Sequence, residues 1–363
     1  MRIKRRLPVI FAVLLVAAAV ALIVFLRMHA PPEPARLLPG ADAFVYINLQ
    51  WMRQADVAGK LPPVPHDPEY EQFIQETGFQ FERDLDQAAF AIHYPAHAPG
   101  ISRERQRPRF SEVFVAKIHG DRLDAYLRKI SSSVENYRSV NIYNIPLEGR
   151  TLRVAIIGVD TVAASNHDDP LVIRGIVDRS RKLASPFGGP ALLRQYYKHV
   201  PLASLGWGIF RVEPAENEIS LGDTGLSFLF AKPAVVVGSV RYLGTVDFRL
   251  AAFTSSEQDA QLLTERVSSF LAVFHTAETS VSPPQAGDAD IKQFLDSLKV
   301  EQHGDRAVLT ATVPTSLLRK AIAESPSQLA PAAPEPQPPP PAKAPPQRKH
   351  HKIKPSRSPE KNL

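Results

Sequence analysis

The chain has no cysteine in its 363 residues, which excludes structural disulfides, thiolate metal centres and a cysteine nucleophile. Glycine is scarce, 18 residues against 34 prolines, and no phosphate-cradling loop is spelled anywhere. Gly206-Trp207-Gly208 lacks the third glycine of a dinucleotide fingerprint. Gly225-Leu226-Ser227 lacks the second glycine of a nucleophile elbow and sits inside an apolar run. The body also lacks a strong charge. The formal net charge of +6 comes from Arg2, Lys4, Arg5, Arg6 and Arg27 at one end and from seven Lys/Arg against two Glu in residues 326–363 at the other. The middle is therefore slightly acidic, a poor electrostatic partner for nucleic acid.

One long apolar run is present. Residues 7–26 read LPVIFAVLLVAAAVALIVFL, without a charged or strongly polar side chain. At about 1.5 Å per residue a helix of this length spans about 30 Å, the thickness of a hydrocarbon core. Pro8 stands at its start, where a missing N–H is tolerated. The basic cluster before the run and the single Arg27 after it predict a cytoplasmic N-terminus and an exported body. A cleaved signal peptide is the rival reading, but a cut after Ala30 would have Met28 at the third position back and Pro31 directly following. The expectation is an uncleaved signal-anchor, single-pass in the inner membrane, with the bulk of the chain periplasmic or otherwise extracytoplasmic.

The remaining pattern divides the chain into a basic N-terminus (1–6), the anchor (7–26), a proline-bearing spacer (27–36), two α+β units (37–188 and 189–325) and a tail (326–363). In the first unit, strands are expected at 42–49, 87–93, 112–118, 140–145, 152–157 and 160–164. Leu123, Tyr126, Leu127 and Ile130 recur at helical spacing behind Asp121 as cap. Asp168-Asp169-Pro170 opens a further helix running to about Leu183. In the second unit, strands are expected at 206–212, 226–230, 234–242 and 245–253. A helix with Thr254 and Glu257 in capping-box spacing follows, burying Leu263, Val267, Phe270, Leu271 and Phe274. A helix at 289–298, a hairpin through His303-Gly304-Asp305 and a helix at 315–323 complete it. Hairpins followed by single helices, twice over, predict antiparallel sheets with helices packed on one face and two related units. The tail, with twelve prolines and the run QRKHHKIKPSR, has no apolar periodicity and is expected to be disordered.

The anchor followed by Leu37-Leu38-Pro39-Gly40-Ala41-Asp42-Ala43 entering an apolar strand resembles uncharacterised bacterial families of single-pass, membrane-anchored exported proteins that open on an "LLP-x-D" strand. The capped helix of the second unit and the terminal strand–helix at 307–323 are similar too. The resemblance implies a bacterial, anchored, duplicated α+β protein, and supplies no catalytic residues.

Residue by residue, chemistry is thin. His93 and His97 stand four apart, but Pro95 between them breaks a metal-binding helix. Asp84-Leu85-Asp86 puts two carboxylates on one face of an extended segment, as a divalent-ion pair would need. The plainer reading is two polar residues leading into a strand. Asp168 and Asp169 read as helix caps. Trp207, Tyr196 and Tyr197 are aromatics for a core or a ligand cleft, with the core favoured. No catalytic, metal or cofactor-binding residue is expected. The candidate interaction patch is basic: Arg348, Lys349, Lys352, Lys354 and Arg357 in the tail, suited to anionic lipid heads or a cell-wall polymer. Function is accordingly expected to be that of a structural or interaction component of the bacterial cell envelope. The alternative is a module binding a small apolar or lipid-like ligand between sheets, and a hydrolase comes third.

Overall fold

Strand-forming segments rich in Val, Ile, Phe and Tyr pair throughout as neighbours in space. The result, in the computed structural model, is one antiparallel sheet of 12 strands. The structure describes residues 30–54, 66–94, 108–147, 149–181, 188–212, 229–281 and 288–317, with the side chains of 274–281 and 288 excepted. The anchor segment 7–26, the tail 326–363 with its basic patch, His97, and most of the expected strand 226–230 and helix 315–323 lie outside these residues.

The strands are β1 (Ala43–Asn48), β2 (Leu85–His93), β3 (Arg109–Ala116), β4 (Ser133–Tyr137), β5 (Val140–Leu147), β6 (Arg150–Ile156) and β7 (Thr161–Ser165), then β8 (Ser204–Val212), β9 (Ala234–Tyr242), β10 (Val246–Phe253), β11 (Lys299–His303) and β12 (Arg306–Val313). Their order in the sheet is β11-β12-β10-β9-β8-β1-β2-β3-β7-β6-β5-β4. Each half is a three-stranded meander (β1–β3, β8–β10), then one helix in the first half and two in the second (Glu257–Val281 and Asp288–Ser297), and a return whose last strand lies beside the third. The halves join where β1 pairs antiparallel with β8, Phe44 opposite Ile209 and Tyr46 opposite Trp207. Antiparallel sheets in two related units were expected; among the described residues a single sheet runs through both units and leaves no space between sheets for a ligand.

Helices on one face were also expected, and this too is corrected. Successive strand residues point to opposite faces, and several strands are apolar on both. Ile142, Ala155 and Ala163 meet Ile173, Ile176 and Val177 of helix Leu171–Arg181 in the main core. Their immediate neighbours Tyr143, Val154 and Ala164 meet Leu123 and Leu127 of helix Gly120–Ile130. We call the first the near face; it also carries helices Glu33–Leu37 and Ala191–Tyr196, through Ala35, Leu37, Leu192 and Leu193. The far face carries helix Gly120–Ile130, helix Pro68–Thr77 through Phe73, and helix Glu257–Val281, whose Leu263 packs on Ala252 and Ala307.

Local chemistry explains the helix ends. Asp67 accepts the Tyr70 N–H at 2.7 Å with Pro68 in the first turn, and Gly78 closes the helix at φ 73°, a left-handed position that suits glycine. Asp121 lies in the first turn of its helix, after His119 at the cap. The second expected cap shifts by two residues: Ser256 Oγ, not Thr254, accepts from Asp259 N–H (3.2 Å), while Thr254 Oγ1 donates to Ser256 O and Asp305 O.

Candidate functional site

At one end of the sheet, on the near face beside the junction of the halves, four separate segments converge. Asp42 enters β1, His93 and Tyr94 end β2, His167 follows β7, and Arg211 stands near the end of β8. With Pro190, Ala191 and Leu192 these residues line a cavity of about 420 Å³. The ladder itself places Asp42: its N–H donates to Ile92 O (3.1 Å) and its carbonyl accepts from Arg211 N–H (2.9 Å). Its carboxylate Oδ2 then accepts the Tyr94 N–H at 3.1 Å, and Oδ1 faces Arg211 Nη1 at 3.9 Å.

Behind the cavity wall runs a chain of hydroxyls. His93 Nε2 lies 3.2 Å from Ser111 Oγ, and Ser111 Oγ lies 3.0 Å from Ser165 Oγ across the β3–β7 register. Ser165 Oγ also accepts the His167 N–H at 3.2 Å. The rings of His93 and His167 meet edge to face at 5.1 Å. Burial, and then the neighbouring His167, push the His93 pKa down to about 4, with Asp42 opposing; the ring is neutral at ordinary pH. His167 Nδ1 accepts the Asp169 N–H at 3.1 Å, so the neutral ring carries its proton on Nε2.

A serine hydrogen-bonded to histidine is the first half of a nucleophilic pair. Here it is sealed. Ser111 is 0% exposed and Ser165 2%, so no substrate carbonyl can reach either oxygen. The arrangement orients His93 and presents imidazole, carboxylate and guanidinium to the cavity, which is recognition chemistry. Among the described residues no group of three His, Asp or Glu could hold a metal ion.

The residues singled out in the sequence fall elsewhere. Asp84 accepts from Gln80 N–H (2.9 Å) and pairs with Arg83 at 2.7 Å, whose hydrogen bond is the first cause of its lowered pKa. Asp86 is taken by Arg53 at 2.5 Å. Each carboxylate already has its cation, so the two form no ion site. Asp169 caps its helix through Leu171 N–H (2.8 Å), whereas Asp168 pairs with Arg109 at 2.8 Å. Trp207 is buried, stacked on Tyr46 at 5.5 Å with Tyr197 edge-on at 5.3 Å; burial pushes the Tyr197 hydroxyl up to about 12. Tyr196 packs on Phe253 at 5.3 Å. These aromatics belong to the core around the seam. The sequence reading missed Asp42, His167 and Arg211 as site residues, and noted His93 for its spacing to His97 rather than its contact with His167.

Among the described residues no helix is long and apolar enough to cross a membrane. No family model matches the chain, and no curated protein does. Solved structures of TP0453 in crystal forms IV and I align over 81% and 82% of this chain and 96% and 99% of theirs, at 10% and 9% identity and TM-scores of 0.40 and 0.39. Crystal form III of the same protein aligns at 10% identity with a TM-score of 0.40. Likeness at this level carries no argument about what this chain does.

Proposed function

We propose that this chain is an exported protein of the bacterial cell envelope, held in the cytoplasmic membrane by residues 7–26, whose sheet is an interaction scaffold without catalytic activity. One observation carries the interaction part: the cavity at the sheet end gathers Asp42, His93, His167 and Arg211 from four segments, while the hydroxyls behind it are sealed from solvent. The location rests on the apolar run and the basic residues ahead of it. The tail patch Arg348, Lys349, Lys352, Lys354 and Arg357 supplies a second, electrostatic contact to anionic lipid or wall polymer, with affinity that falls steeply as salt rises. A lipid-like ligand is the second reading, favoured by Phe248 and Leu250, which stand 39% and 42% exposed on the far face of β10.

Protease added to spheroplasts should digest the body while cytoplasmic markers survive, and alkaline carbonate should leave the protein in the membrane pellet. A soluble product beginning at Pro31 would replace the anchor with a cleaved signal. Ala18→Lys should weaken insertion by about 2.5–3.5 kcal/mol. Lipid that co-purifies stoichiometrically and is lost in Phe248→Asp would move the assignment to the second reading.

A further inference from the structure

We infer that the cavity at the sheet end recognises a zwitterionic group, an ammonium and a carboxylate a few ångströms apart on a small ligand such as an amino acid or short peptide. This rests on the reading of the cavity as a binding site. Its two formal charges are of opposite sign and incompletely paired: Asp42 Oδ1 and Arg211 Nη1 are 3.9 Å apart, beyond hydrogen-bond distance. Both side chains are partly exposed, and Asp42 is held in place through Tyr94 N–H and two backbone bonds, so it meets a ligand preorganised.

The imidazoles do not tip the balance. His93 is neutral and its Nε2 is engaged with Ser111, and His167 is fixed by Asp169 N–H. The formal charges of the wall are those of Asp42, negative, and Arg211, positive. A simple anion meets Asp42, a simple cation meets Arg211, and only a ligand carrying both signs is matched by both. The volume, about 420 Å³, lies within the range of small-molecule sites, and Pro190 and Leu192 provide an apolar wall for a side chain.

Isothermal titration of the full chain in detergent tests this with four probes: alanyl-alanine, its N-acetyl form, its C-terminal amide and an uncharged disaccharide. The free dipeptide should bind, and each blocked form should bind at least tenfold more weakly. Asp42→Asn, which keeps an acceptor for Tyr94 N–H, should remove the penalty for N-acetylation. Arg211→Gln, a change on a half-exposed side chain, should remove the penalty for the amide. Unchanged melting temperatures would confirm that both variants fold. Equal binding of all three peptides, preference for the acetylated form, binding of the disaccharide alone, or no heat with any probe would each overturn the proposal. Cleavage of the dipeptide during titration would instead sink the non-catalytic reading and leave the recognised class intact.

Discussion

The two halves of the sheet follow one plan, a meander with the last strand returned beside its third, in seven strands and in five, and differ in how particular positions are covered. In the first half, helix Leu171–Arg181 buries Ile173, Ile176 and Val177 on the near face, and helix Gly120–Ile130 buries Leu123 and Leu127 on the far face. In the second half, helix Glu257–Val281 buries Ala260 and Leu263 but leaves Leu262 and Val273 outside, and Phe248 and Leu250 of β10 stay partly exposed. Strand pairing sets the topology of both halves. Side-chain cover decides what each position contributes: Ile176 is sealed between helix and sheet, whereas Phe248 stands partly in water.

The largest effect should follow a cavity at the sealed position. Ile176→Ala removes a side chain that is wholly buried between helix and sheet, and should cost about 2–5 kcal/mol in denaturant unfolding. Phe248→Ala in the second half should cost about 1 kcal/mol, because much of that ring never leaves water. Similar losses for the two would erase the contrast. Asp169→Ala removes the cap of the near-face helix, worth about 1 kcal/mol, and Asp169→Asn should restore most of it.

A smaller effect is set by pH. His93 has its pKa lowered from 6.5 to about 4 by burial and by His167, so within that window the unfolded chain binds a proton that the folded chain does not. Stability should therefore fall as pH drops from 6.5 towards 4, and His93→Gln should flatten that limb in thermal melts taken at successive pH values. An unchanged pH profile in the variant would show that His93 is solvated like an ordinary surface histidine.

Much of the fold was legible because strands announce themselves locally. The expected strand 234–242 coincides with β9, and the segments at 140–145 and 152–157 fall on β5 and β6. The strand β4, Ser-Val-Glu-Asn-Tyr, was not read, since a short, exposed edge strand needs little apolar pattern and its charge discourages further pairing. Cover on both faces is written in the apolar neighbours Ile142 and Tyr143, whose side chains alternate onto opposite faces of the sheet. The site was not legible. Asp42, His93, His167 and Arg211 come from four segments, and only the register of the sheet, with Asp42 bonded to both Ile92 and Arg211, brings them together. Local spacing carries no trace of such a meeting.

The two halves form one sheet, and the site is built across their junction. Hydrogen exchange by mass spectrometry on the full chain in detergent tests it at the β1–β8 pair. Amides of Val45, Ile209 and their neighbours should be among the slowest in the protein, opening only with global unfolding, while the edge strands β4 and β11 exchange early. Amides of β1 and β8 that exchange as fast as those edges would mean two independent domains, with the cavity a crevice between them.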